Sequence, residues 1–90
     1  METVLAPIGK SGAFNVMRGN EVIGSVEIWA TTWCARVFGR AEAGAMVVEN
    51  DSEHFGGKNA LDDAHKWVAG KFWDGMRARF GTDWEHKAVK

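Results

Sequence analysis

At ninety residues the chain has room for one hydrophobic core and not for two, because a domain of this size buries only a little over ~60% of its unfolded surface. Hydrophobic residues make up 46% and charged residues 26%, which excludes a disordered chain; a net charge of −1, from eleven Lys and Arg against twelve Asp and Glu, argues against a bare polyphosphate as the main partner. Five Trp and five Phe with no Tyr are more large rings than so small an interior takes, so part of them is expected at the surface.

Residues 1–11 form an N-terminal segment with neither the basic start nor the apolar run of a secretory leader, and no stretch approaches the ~20 apolar residues of a membrane span. Cys34 is the single cysteine, which rules out a disulfide within the chain and a zinc site of several thiolates. A cytoplasmic, reducing setting is the expectation.

From Gly12 to Ala41 the side chains alternate with period two, the mark of strands. Breaks at Arg18-Gly19-Asn20 and around Ala30-Thr31-Thr32 divide the run into a meander of two hairpins. A three-residue loop with Asn20 in the left-handed region places Val16 opposite Val22 and Phe14 opposite Gly24. After the second strand, a loop of two or four residues sets Ile28 opposite Trp33, Val26 opposite Ala35 and Val22 opposite Gly39. One face is then wholly apolar. The other pairs Ser25 with Arg36, Ile23 with Phe38 and Glu21 with Arg40, a mixed surface that also holds Trp29.

Ala45–Glu49 is expected as a short fourth strand, closing a sheet that spans residues 12–50, and Asn50–His54 as a polar loop. The four acids between Glu42 and Glu53 read as a solvated connection. A helix is expected over residues 59–80, capped by the Asn59 side chain, with Asp62 and Asp63 against the positive end of its dipole. Leu61, Ala64, Val68, Phe72, Met76 and Phe80 form its apolar stripe, flanked by Trp67 and Trp73. Gly81 is a natural stop, and residues 81–90 are a tail. Gly70 and Gly75 each cost about 1 kcal/mol inside a helix, so close packing or a bend must compensate. Such a helix, about 33 Å long, outruns strands of about 23 Å; its last turns either fold over the connection between the third and fourth strands or meet another chain. The fold class is therefore α+β: a single domain with an antiparallel meander of three or four strands and one long C-terminal helix on one face.

No residue constellation specifies a reaction. Cys34, opposite Glu27 on the mixed face, needs a histidine at hydrogen-bond distance to act as a nucleophile, and without one is a partly buried small side chain. His54, His65 and His86 lack metal-ligand spacing, adjacent Asp62 and Asp63 point in different directions, and Gly56-Gly57 lacks the frame of a phosphate loop. No enzyme activity, cofactor or metal is expected. Trp29 and Phe38, interleaved with Arg36 and Arg40, form an arrangement that could stack bases and hold phosphates, but Glu21 and Glu27 on the same face oppose it. Trp and Arg are also the residue types that dominate binding energy at protein interfaces. Two partner-binding patches follow: Trp29, Arg36, Phe38 and Arg40 on the sheet, and Trp73, Phe80 and Trp84 at the helix end.

The runs Gly12-Ala13-Phe14-Asn15-Val16 through Gly24-Ser25-Val26, then Trp33-Cys34-Ala35-Arg36-Val37, and Ala60-Leu61-Asp62-Asp63-Ala64-His65-Lys66-Trp67-Val68 resemble, in general layout, small proteins encoded by phages and prophages. Anti-CRISPR proteins are among them, and the resemblance implies a single domain that blocks a host nucleoprotein nuclease complex by binding it. Those proteins share no functional residues, so no site residue is carried over; near-neutral charge would favour occlusion by a shaped surface over charge mimicry. Three readings stand: a non-enzymatic protein-binding module, with such an inhibitor as its narrower form; a single-stranded nucleic-acid binder; and a homodimeric structural protein joined through the helix C-terminal end.

Overall fold

The computed structural model describes residues 2–81. The expected tail, with Trp84, lies outside the described residues apart from Gly81. Seven strands precede one helix: β1 Val4–Pro7, β2 Phe14–Arg18, β3 Glu21–Trp29, β4 Thr32–Val37, β5 Arg40–Glu42, β6 Ala45–Val48, β7 Asp51–Phe55 and α1 Ala60–Phe80. The main sheet has the order β1-β2-β3-β4-β7 and is antiparallel throughout, with α1 packed on one face; β5 and β6 form a separate two-stranded ribbon. This is the α+β meander with a C-terminal helix, enlarged to five strands.

Two strands lie where none was expected. β1 falls within the N-terminal segment, and β7 replaces the polar loop over Asn50–His54. Asp51-Ser52-Glu53 has poor strand propensity, but its backbone completes the ladder along β4, and an edge strand with exposed side chains tolerates acids. The expected fourth strand exists as β6, yet it pairs with β5 rather than joining the sheet. Its tight turn is Ala43-Gly44, both at positive φ (52° and 82°).

Register agrees with expectation between β3 and β4, where Ile28 faces Trp33, Val26 faces Ala35 and Ser25 faces Arg36 across a two-residue loop. Between β2 and β3 it does not. The loop is Gly19-Asn20, with Gly19 rather than Asn20 at positive φ, so Arg18 faces Glu21. Ile23 is then an extra residue in β3, because Met17 faces Val22 while Val16 faces Gly24 and Phe14 faces Val26. This bulge reverses the alternation before it. Ile23 therefore enters the core at 2% exposure, and Val22, expected inside, is 40% exposed.

Beneath the helix lie Val16, Val26, Ala35 and Val37, all buried, with Phe14 and Trp33 partly buried beside them, their ring centroids 6.1 Å apart. Ile28, at the end of its strand, is 53% exposed and outside the core. From α1 come Ala60, Ala64, Val68, Phe72 and Met76, with Leu61, Trp67 and Trp73 packed at the margins. Burying a side chain such as Phe72 contributes about 1.5–3 kcal/mol. The helix start differs from expectation: Asn59 makes no side-chain capping bond, and its carbonyl accepts the Asp63 N–H at 2.9 Å. At the other end, Gly81 turns the chain at φ 87° while its N–H donates to the Arg77 carbonyl. On the exposed side, the hydrogen bond and charge of Asp62, 2.9 Å away, raise the Lys66 pKa above its ordinary value.

The ribbon answers the helix overhang. Val48 is a core residue, and the β6 backbone comes so close to α1 at Gly75 that an added Cβ would stand 2.6 Å from the Val47 carbonyl oxygen. Close packing thus accounts for Gly75, while Gly70 has nothing within 4 Å of that position.

Candidate functional site

With α1 on one side of the sheet, the opposite face is the open surface, and the ladders fix what it displays. One row runs Val4–Met17–Val22 across β1, β2 and β3. The next runs Ala6–Asn15–Ser25–Arg36–Ser52, followed by Glu27–Cys34–His54 and then Trp29–Thr32. An open antiparallel face ordinarily alternates polar residues outward. Here Val4 is 60% exposed, Trp29 49%, and Val22 and Phe38 40% each, whereas the ladder positions supply only two formal charges, Glu27 and Arg36.

Those charges are adjacent. Arg36 Nη2 lies 3.6 Å from Glu27 Oε1, and its guanidinium sits 5.7 Å from the centre of the Trp29 ring. His54 also meets Trp29, edge-on with centroids 5.8 Å apart, and its Nδ1 is 3.4 Å from the Thr32 hydroxyl. The result is a Trp in contact with both a guanidinium and an imidazole, an arrangement that restricts its ring before any partner arrives. Beside it a shallow depression of about 420 Å³ is lined by Arg36, Val37, Phe38, Asn50, Asp51 and Ser52.

Cys34 lies opposite Glu27, as the sequence indicates, and His54 is its neighbour on the other side. Cross-strand neighbours bring a thiol and an imidazole within reach, but Cys34 is only 3% exposed and the His54 ring is engaged by Trp29 and Thr32. A buried thiol is inaccessible to a substrate. Among the described residues, no three His, Cys, Asp or Glu side chains cluster to hold a metal ion, and no helix is long and apolar enough to cross a membrane.

Arg40 and Glu21 do pair, but on the helix side of the sheet, because the bulge carries this end of β3 over. Glu21 bonds Arg40 and, at 3.3 Å, Arg18; Arg40 Nε also lies 2.8 Å from Glu42, too oblique for a hydrogen bond. Both guanidiniums stand over the Phe72 ring, at 5.8 Å for Arg18 and 5.7 Å for Arg40. Arg40 therefore seals the core edge instead of lining the open face with Trp29 and Arg36.

The second expected patch lies on the helix layer, apart from the first. Trp73 is half-buried against the core beneath Arg77, 5.3 Å from its ring, and Phe80 is 37% exposed with Arg79 at 5.3 Å. A shallow notch of about 250 Å³ adjoins Gly70, Trp73 and Arg77. Trp84 lies outside the described residues. On the open face, sequence reasoning overlooked Val4, Val22 and His54. The short apolar run Val4-Leu5-Ala6 before Pro7 was a signal for β1, whereas nothing local marks His54 as a strand residue. Comparison of the chain with protein-family models, curated proteins and solved structures finds no match.

Proposed function

We propose that the chain is a non-enzymatic protein-binding module whose contact surface is the open face of the sheet, centred on Trp29 and Arg36. One observation carries this reading: the exposed Trp29 ring contacts both Arg36 and His54 on a face where apolar residues outnumber charges. Pre-ordered aromatic and guanidinium groups bind with little loss of side-chain entropy, which is why such residues anchor interfaces. The narrower form, supported by the resemblance to small phage and prophage proteins, is an inhibitor that occludes a host CRISPR-Cas complex. A single-strand nucleic-acid binder would use the same Trp29–Arg36 stack. It is disfavoured because Arg36 is the sole cation among the face's ladder positions and already has Glu27 at 3.6 Å.

The test is inhibition of DNA cleavage by purified CRISPR-Cas complexes, with binding measured for the parent chain, a Trp29→Ala/Arg36→Ala variant and Phe80→Ala. The double variant should bind more than about tenfold more weakly, as expected for loss of interface anchors, while Phe80→Ala binds like the parent. If no complex is bound, the inhibitor form fails. If a bound complex is held equally well by the double variant, the open face is not the surface.

A further inference from the structure

We infer that, in the absence of another partner, a second copy of this chain covers the open sheet face, giving a two-fold dimer in which each Arg36 meets Glu27 of the other copy. This rests on the reading that the face is a binding surface and names its occupant. Exposed Val4 and Val22 flank a half-buried Met17 in a row across three strands, and water is a poor partner for it. The occupant must offer an apolar surface and a charge pattern complementary to the Glu27–Arg36 pair. The face itself does both.

The geometry can be laid out from sheet spacings, with strands about 4.8 Å apart and alternate residues along a strand about 6.6 Å apart. Two such sheets pack about 10 Å apart when related by an axis lying between them. An axis bisecting the line from Glu27 to Arg36 places each of these residues opposite its counter-charge. It also carries Trp29 of one copy onto the position of Ser52 in the other, over the depression of about 420 Å³ lined by Arg36, Phe38 and Ser52. The same operation sets Met17 against Ala6 and brings the two Val4 side chains together near the axis. One operator thus sets each charge against its opposite, gives the exposed ring a recess, and brings the two apolar rows together at Val4.

The area suffices. Five strands with rows at these spacings make a face of roughly 500 Å², so pairing two buries on the order of 1,000 Å², the lower limit of a specific interface. A dimer of that size is weak. Because it consumes Trp29 and Arg36, it competes with any heterologous partner for the same residues.

The experiment is sedimentation equilibrium on the full chain from low micromolar to submillimolar concentration. The mass should rise from 9.9 kDa towards twice that value. Glu27→Arg and Arg36→Glu should each shift the midpoint more than about tenfold upward in concentration, and the two reversals combined in one chain should restore it, because opposite charges then meet again. Trp29→Ala, which introduces no charge, should weaken the dimer similarly with an unchanged circular dichroism spectrum. A parent chain that stays at 9.9 kDa throughout overturns the inference and leaves the partner-binding reading intact. A dimer indifferent to all three single substitutions, or one abolished by Phe80→Ala, also overturns it, the latter by placing the contact at the helix end.

Discussion

Gly24 in β3 lies directly beneath Val68 of α1, so close that a Cβ built on Gly24 would stand 2.5 Å from Val68 Cγ1 and closer still to the Arg36 carbonyl oxygen. The helix settles on the sheet at a position that only a missing side chain permits. Gly24→Ala should therefore destabilise the fold by about 1–3 kcal/mol, the usual range for overpacking. Chemical denaturation would register this as a lower midpoint at unchanged slope. Adding Val68→Ala should recover part of the loss through coupling between touching residues, but not all, since the Arg36 carbonyl cannot withdraw. An unaffected midpoint in Gly24→Ala would show that the helix does not sit this close.

The two helix glycines should respond in opposite directions. At Gly70 an added methyl meets nothing within 4 Å, so Gly70→Ala gains helix propensity, about 0.5–1 kcal/mol. At Gly75 it would stand 2.6 Å from the Val47 carbonyl oxygen and 2.9 Å from Val48 Cγ2, forcing the ribbon away. Gly75→Ala should lose about 1–3 kcal/mol and speed amide exchange in β5 and β6 before the rest of the sheet. Equal effects at the two sites would refute the packing described for the ribbon.

The central hairpin and the helix were legible because burial on one side imposes a period on the sequence: Val26, Ala35 and Val37 on alternate positions, Ala64, Val68 and Phe72 at helical spacing. What the period cannot show is an insertion. Ile23 and Val22 are both apolar β-branched residues, and their exchange of faces is set by a bulge whose cause is the join between a two-residue turn and the ladder beyond it. β7 was hidden for a different reason, since Asp51-Ser52-Glu53 contributes backbone to an edge and almost no burial, so neither periodicity nor propensity records it. The open face suffered from both effects. Met17, Trp29, Arg36 and Phe38 could be read from alternation along the central strands, whereas Val4, Val22 and His54 depended on the bulge and the two edge strands.

Phe72 and the arginines above it define a third prediction. The ring is 1% exposed, and Glu21 holds Arg18 and Arg40 over it. Phe72→Ala should cost about 3–5 kcal/mol, as expected for an aromatic removed from a packed core. Glu21→Gln keeps the shape but removes the charge that both guanidiniums share, and should cost about 1–2 kcal/mol. Since these side chains are partly exposed, raised salt should narrow the gap between parent and Glu21→Gln. A gap that widens with salt would mean that the carboxylate opposes the fold.

Cys34 provides a reporter on the open face without any substitution. At 3% exposure between Glu27 and His54, its thiol meets a water-borne disulfide reagent only when the sheet opens. Modification of the folded chain should therefore be at least about a hundredfold slower than that of the chain in denaturant, in keeping with exchange limited by local opening. His54→Ala removes the larger neighbour on one side and should accelerate the reaction while leaving the denaturation midpoint little changed, because His54 is exposed. Covering the face, by a second copy at high protein concentration or by a heterologous partner, should slow it again. A native thiol that reacts as fast as an unfolded one would contradict both the burial of Cys34 and the side-chain order on this face from which the binding surface is built.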